Sequence, residues 1–172
     1  MVKMEIYGVS IDMSSKTPVV LLKTVEGNKV LPILIGHPEA TAILMKLQSV
    51  TAPRPMTHDL LTDMLLQLGG EVVSIAVTEL RESTFYAQIT VRQNGTELEI
   101  DSRPSDALAL AIRVGAPIYA ADDVVDEIGI EFEGEEPNEE EVVNEFKRFL
   151  DSVSPEEFAV ENGGEEEEEE PE

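Results

Sequence analysis

The stretch that decides the fold runs Glu97-Leu98-Glu99-Ile100-Asp101-Ser102-Arg103-Pro104-Ser105-Asp106-Ala107-Leu108-Ala109-Leu110-Ala111-Ile112-Arg113. Its first five residues alternate polar and apolar, the two-residue period of a strand. At Ser102-Arg103-Pro104 the period changes. Pro104 suits the first position of a helix, because its missing N–H is one of the donors left unpaired there in any case. Asp106 falls in the first turn, where a carboxylate meets the positive end of the helix dipole. The body, Ala107 to Ile112, is apolar on nearly every face, which predicts a helix buried all round. Gly115 and Pro117 end it, the glycine as a left-handed cap and the proline as a breaker. Two aspartates and an arginine thus stand at the mouth of a buried helix.

Upstream, residues 4–12, 18–25 and 30–35 read as three strands, with Glu26-Gly27-Asn28-Lys29 as a hairpin turn and Pro32 marking an edge or a bulge. Two helices follow, Ala40 to about Ser49 with Ala42, Ile43, Leu44 and Leu47 inward, and His58 to Leu68 with Thr57 as its cap. In the second of these, Leu60, Leu61, Met64, Leu65 and Leu68 recur at helical spacing and are expected in the core. Strands over 71–79, 84–92 and 96–101 come next, the last two joined by the hairpin turn Asn94-Gly95. After the buried helix, 117–120 is a short strand and 122–127 one helical turn. The order β-β-β-α-α-β-β-β-α-β predicts an α+β fold, with antiparallel or mixed sheet meanders and two or three packed helices, rather than a doubly wound parallel sheet.

From Gly134 the composition shifts. Residues 139–151 form an amphipathic helix pattern, with Val142, Val143, Phe146, Phe149 and Leu150 on one side, and a second short helix is expected over 155–160. The chain therefore divides into an α+β domain over 1–134, an acidic helical extension over 135–160 and a disordered acidic tail over 161–172.

The net charge of −24 is concentrated in the C-terminal segment, yet the preceding body is acidic too. This argues against a broad basic track for nucleic acid, since phosphate contacts supply most non-specific affinity, though nucleic acid stays a candidate partner. A solvated surface, or a high-salt interior, accounts for such a balance. The chain has no cysteine, which removes disulfides, thiolate zinc sites and thiol nucleophiles. No run approaches the ~20 apolar residues of a membrane span, and the N-terminus lacks a signal-peptide core, so a cytoplasmic protein is expected.

Three helix openings share one composition: His37-Pro38-Glu39, Arg54-Pro55-Met56-Thr57-His58-Asp59 and Arg103-Pro104-Ser105-Asp106. Prolines and acids belong at helix starts for capping reasons alone. Both histidines and two of the six arginines nevertheless fall in these openings. Convergence of the three mouths would gather Glu39, His58, Asp59, Asp101 and Asp106, flanked by Arg54 and Arg103. In that arrangement Glu39, Asp59, Asp101 and Asp106 are the candidate ligands of Mg²⁺ or Mn²⁺. A metal-bound water would attack a phosphodiester, His58 would serve as general base, and the arginines would offset charge building on phosphate. His58 and Asp59 are adjacent in a helix and diverge by about 100°, so they do not chelate one ion together; Asp59 and Asp63 share a face. No glycine-rich phosphate loop and no serine-centred nucleophile motif occurs.

Leu31-Pro32-Ile33-Leu34-Ile35-Gly36 followed by Glu39-Ala40, then Arg54-Pro55-Met56-Thr57-His58-Asp59-Leu60-Leu61, then Asp101 to Ala111 resemble the bifunctional nuclease domain, in the same order, across about residues 4–133. The resemblance implies a compact, oligomeric α+β domain acting on RNA and DNA. Assigning Arg54, His58, Asp59, Asp101, Arg103 and Asp106 to its site rests on their polarity at the matched positions. Some bacterial members carry a C-terminal helical-hairpin module, and residues 138–172 lack that pattern. The alternative to an enzyme is a regulatory or scaffold homo-oligomer whose matched motifs are structural.

Overall fold

The computed structural model describes residues 1–132 and 137–152; the short helix expected over 155–160 and the tail from 161 lie outside the described residues. Eight strands form one sheet: β1 (Val2–Ile11), β2 (Pro18–Thr24), β3 (Lys29–Leu34), β4 (Gly70–Arg81), β5 (Thr84–Gln93), β6 (Thr96–Ser102), β7 (Ile118–Ala120) and β8 (Ile130–Glu131). The helices are α1 (His37–Leu47), α2 (Thr57–Gln67), α3 (Pro104–Val114), α4 (Asp122–Ile128) and α5 (Glu139–Ser152). The α+β class expected from the element order is the one observed.

The strand order is β6-β5-β4-β7-β1-β2-β3-β8. Two antiparallel meanders, β1–β3 and β4–β6, are spliced through β7, which pairs antiparallel with β1 and parallel with β4. Tight hairpins make the meanders, and the route from β6 back to β7 needs the crossover that α3 supplies. β8 covers only Lys29 and Val30 of β3. Pro32 therefore lies where β3 is an edge, the position that tolerates a residue without an N–H. Register shifts in β1–β2 and β4–β5 bend and twist the strands. The curled sheet brings the ring of Phe85, near the start of β5, to within 6.3 Å of Phe146 on α5.

α3 is buried over Pro104, Ser105 and Ala107–Ala111 and is closed by Gly115 in the left-handed region at φ 71°. It packs against α1 and α2 and across β4 and β5. α1 begins three residues earlier than its apolar pattern suggests, with Pro38 in its first turn, and it buries Ala40, Ala42 and Ile43 while Leu47 stays exposed. α5 packs on the α+β body through the buried Val142, Val143 and Phe146. Its Lys147 reaches Asp12 at the end of β1, Nζ to Oδ1 2.8 Å. Asp12 also accepts from the N–H of Ser14 and Ser15, the mark of an Asx turn. The Lys147 hydrogen bond, then the Ser15 hydroxyl, hold the Asp12 carboxyl well below the usual range.

α2 departs from expectation. Leu60, Leu61, Met64 and Leu68 are exposed rather than in the core, and the buried residues are His58 and Thr62. Polar anchoring sets this rotation. His58 bonds to α3, the Thr62 hydroxyl donates to the His58 carbonyl at 2.8 Å, and Asp59 pairs with Arg113. Only Leu65 of the leucine set packs partly against the core.

These environments predict opposite costs for similar truncations. Leu108→Ala, in the fully buried part of α3, is expected to lower unfolding free energy by about 2–5 kcal/mol. Leu66→Ala on exposed α2 should change it by no more than about 0.5 kcal/mol. Urea midpoints of the two variants check the contrast.

Candidate functional site

The site lies at the mouth of α3, where the starts of α1 and α2, both packed on α3, reach its first turn. Arg103, the residue before α3, folds back over the first turn. Its Nε donates to Asp106 Oδ2 at 2.6 Å and its Nη2 to Asp106 Oδ1 at 3.0 Å. The same Nη2 donates to Glu39 Oε1 at 2.9 Å. His58 Nε2 stands 3.0 Å from Asp106 Oδ1. Glu39, Arg103, Asp106 and His58 thus form one continuous chain of charge-assisted hydrogen bonds drawn from three helix openings.

The chain is covered at both ends and wet at Arg103, with the Glu39 side chain 15% exposed. The His58 side chain is 11% exposed, Asp106 28%, and Arg103 65%. Burial pushes the Asp106 carboxyl up, but hydrogen bonds from Arg103 and then His58 outweigh it and hold the group below its ordinary value. Asp106 in turn, followed by Glu39, keeps the Arg103 guanidinium more firmly protonated than usual. An ionised Asp106 accepts the proton of His58 Nε2, which leaves Nδ1 as the basic ring nitrogen. Gly36, just before α1, admits this arrangement, since a side chain there would collide with the Glu39 carboxylate.

Beside Arg103 opens a cavity of about 330 Å³, with Arg103, Pro104 and Ser105 on one wall and Thr84, Phe85 and Phe146 among the residues facing them. Sequence reasoning gave no reason to place Phe85 or Phe146 here; both are apolar residues at ordinary core spacing.

Other expected site residues lie elsewhere. Asp59 accepts from Arg113 Nε at 2.7 Å and from the Met56 N–H at 2.9 Å. The Met56 bond first, then Arg113, lower its carboxyl. Arg113 is buried and also donates to the carbonyls of Ala109 and Ala42, so this pair ties the three helices together. Arg113 was not singled out by sequence, although a guanidinium in the last turn of a buried apolar helix demands partners. Arg54 lines a different pocket, with Lys46, Thr51 and Asp59. Asp101 is exposed on β6. Strand alternation puts it on one face with Glu97 and Glu99; the other face, with Leu98 and Ile100, is exposed as well.

The carboxylates that do converge, Glu39 and Asp106, both face the Arg103 guanidinium, which already fills the cationic position between them. As arranged they do not fit a divalent ion, and among the described residues no group of three or more His, Asp or Glu side chains could hold one.

An eight-stranded mixed sheet carrying a His–Asp–Arg–Glu chain at the mouth of its buried helix defines an α+β domain with a polar centre that reaches solvent through Arg103. Residues 20–133 match the bifunctional nuclease domain, and the chain belongs to that family. It is 38% identical over 162 residues to an uncharacterized protein of Mycobacterium tuberculosis, covering 91% of this chain and 97% of that one. It is 29% identical over 105 residues to bifunctional nuclease 1 of Arabidopsis thaliana, and 28% identical over 103 residues to bifunctional nuclease 1 of Oryza sativa subsp. japonica. Those matches cover 59% and 58% of this chain but only 32% and 31% of the plant proteins. Among the described residues no helix is long and apolar enough to cross a membrane.

The lowered Asp106 carboxyl generates a pH prediction. A group depressed on folding stabilises the native state above its unfolded value and loses that contribution as pH falls through the folded one. Wild-type stability should therefore fall progressively below about pH 3.8, the ordinary value for the group. Asp106→Asn, which has no proton to gain, should show a shallower decline over the same range in urea titrations.

Proposed function

We propose that this chain hydrolyses phosphodiester bonds in nucleic acid, with the Glu39–Arg103–Asp106–His58 chain as its reactive centre. The observation that carries the reading is the 3.0 Å contact between His58 Nε2 and Asp106 Oδ1, with Asp106 held from its other side by Arg103. Asp106 orients the imidazole and stabilises it when protonated. Nδ1 then accepts a proton from water as the water oxygen bonds to phosphorus; the leaving P–O bond breaks with its electron pair on the ester oxygen, which takes a proton from solvent, and the imidazolium returns its own to solvent. Arg103 keeps Nη1, the nitrogen engaged by neither carboxylate, for charge that builds on the phosphoryl oxygens. The adjoining cavity of about 330 Å³ is within the range of small-molecule sites and suits one nucleotide. The plant relatives named bifunctional nucleases support the reaction class. No step here runs through a metal, because the carboxylates that would hold one are engaged by a guanidinium.

Purified protein incubated with single-stranded RNA and DNA tests the reading. His58→Ala and Asp106→Asn are each expected to lower the cleavage rate by roughly 10²–10⁴-fold, the usual contribution of a positioned acid or base. Cleavage by wild type should persist in chelator. Loss on chelation, restored by Mg²⁺ or Mn²⁺, would instead mean that Glu39 and Asp106 leave Arg103 to bind the ion. Equal cleavage by wild type and both variants would trace the activity to a contaminant and sink the proposal.

A second reading, a homo-oligomeric scaffold without catalysis, is favoured by α2. A helix apolar on this many faces is expected to be covered, yet Leu60, Leu61, Met64 and Leu68 stand exposed. Self-association through α2 predicts that Leu61→Asp with Met64→Asp converts an oligomer to a monomer by light scattering with the fold intact. A monomeric wild type would remove this reading.

A further inference from the structure

Only 12 of the 172 residues are Lys or Arg, against 36 Asp and Glu. Three of those twelve, Lys46, Arg54 and Arg113, line a single pocket of about 270 Å³ between the end of α1 and the start of α2. The pocket contains one acid, Asp59. Asp59 and Arg113 neutralise one another at 2.7 Å, and the remaining Arg113 donors go to main-chain carbonyls. Lys46 and Arg54 are left over. Lys46 acts on Asp59 only through space, and among the described residues neither cation has a carboxylate within ion-pair distance. The pocket therefore carries an excess of two positive charges on a molecule of net charge −24.

The concavity is built rather than incidental. The loop leaving α1 is pinned by the Ser49 N–H to the Lys46 carbonyl at 3.1 Å and the Val50 N–H to the Met45 carbonyl at 2.8 Å. Its far end is pinned by the Met56 N–H to Asp59 at 2.9 Å. Between these anchors Thr51 offers a hydroxyl and Arg54 its guanidinium. One helix connects this pocket to the reactive centre: His58 and Asp59 are consecutive on α2 and point about 100° apart, the first to Asp106 and the second into the pocket.

We infer that the Lys46–Arg54 pocket binds a phosphate group of a single nucleic-acid strand, away from the phosphate that reacts. The inference rests on the proposed action on nucleic acid and adds how a strand is held by a chain of net charge −24. A single strand can seat one phosphate in the pocket. A duplex presents one charge per ~1.7 Å of axis and meets the acidic surface along its whole length.

The test uses the full chain and a nuclease-resistant phosphorothioate single strand with a fluorescent label, followed by anisotropy as salt is varied. Lys46→Ala with Arg54→Ala should weaken binding at least tenfold at low salt. It should also reduce the slope of log K against log salt by roughly 0.7 for each cation removed. Lys16→Ala, in the turn after β1, should change neither. Inorganic phosphate should compete with the strand on wild type and lose that effect on the double variant. No binding by wild type, an unchanged slope in the double variant, or an equal loss from Lys16→Ala overturns the inference. A duplex bound as tightly as the single strand overturns its single-strand part. Strand binding with a normal slope change but no cleavage would overturn the proposed reaction and leave this pocket assigned. Cleavage with no slope change would do the reverse.

Discussion

Burial of α3 on all its sides is the constraint from which the other features follow. A helix made of alanine and leucine between Ala107 and Leu110 has no solvent face to lose, and its enclosure is worth about 25 cal/mol for each Å² of apolar surface removed from water. Its unpaired N–H groups, its dipole and its flanking polar residues can emerge only at the ends. Arg103 and Asp106 occupy one end and Arg113 the other. Each end recruits a carboxylate from another helix, Glu39 from α1 and Asp59 from α2. The helix thus organises the polar chemistry of the domain because its middle permits none.

The two ends serve differently. Arg113 is buried, and all the contacts of its guanidinium described above go to protein, so the Asp59 pair works as a fastening between helices. Arg103 is largely exposed and holds two carboxylates while keeping a nitrogen toward water. Removing one partner of a buried pair leaves an uncompensated charge and is costly, whereas an exposed pair is worth little to stability. Arg103 stands between the two, an exposed guanidinium whose carboxylate partners are mostly covered. The same contrast separates His58, turned inward, from the leucines of α2, turned outward: polar anchors override hydrophobic spacing when they have partners to reach.

Much of this was legible in the sequence. The alternation over Glu97–Asp101, Pro104 at a helix start and Gly115 at its end located α3, and hairpin turns such as Asn94-Gly95 located the meanders. The contact of Arg103 with Asp106 follows from their spacing of three on one helix turn. The partition of the remaining acids was not legible. Glu39 meets Arg103 across 64 positions of sequence, a contact set by how α1 crosses α3. Asp101 stands two residues before Arg103 on an exposed strand, and among the contacts of the described residues it joins none of the four side chains of the polar chain. The rotation of α2 escaped for a different reason: hydrophobic periodicity says which residues share a face, not whether that face is covered.

The splice at β7 has one more implication. Three residues, Ile118 to Ala120, hold the two meanders edge to edge. Glu39 follows the first meander, while Arg103 and Asp106 follow the second. The seam is far shorter than the strands it stitches, so the register of the polar chain across it falls to the packing of α1 on α3 and to the single core both leaves share.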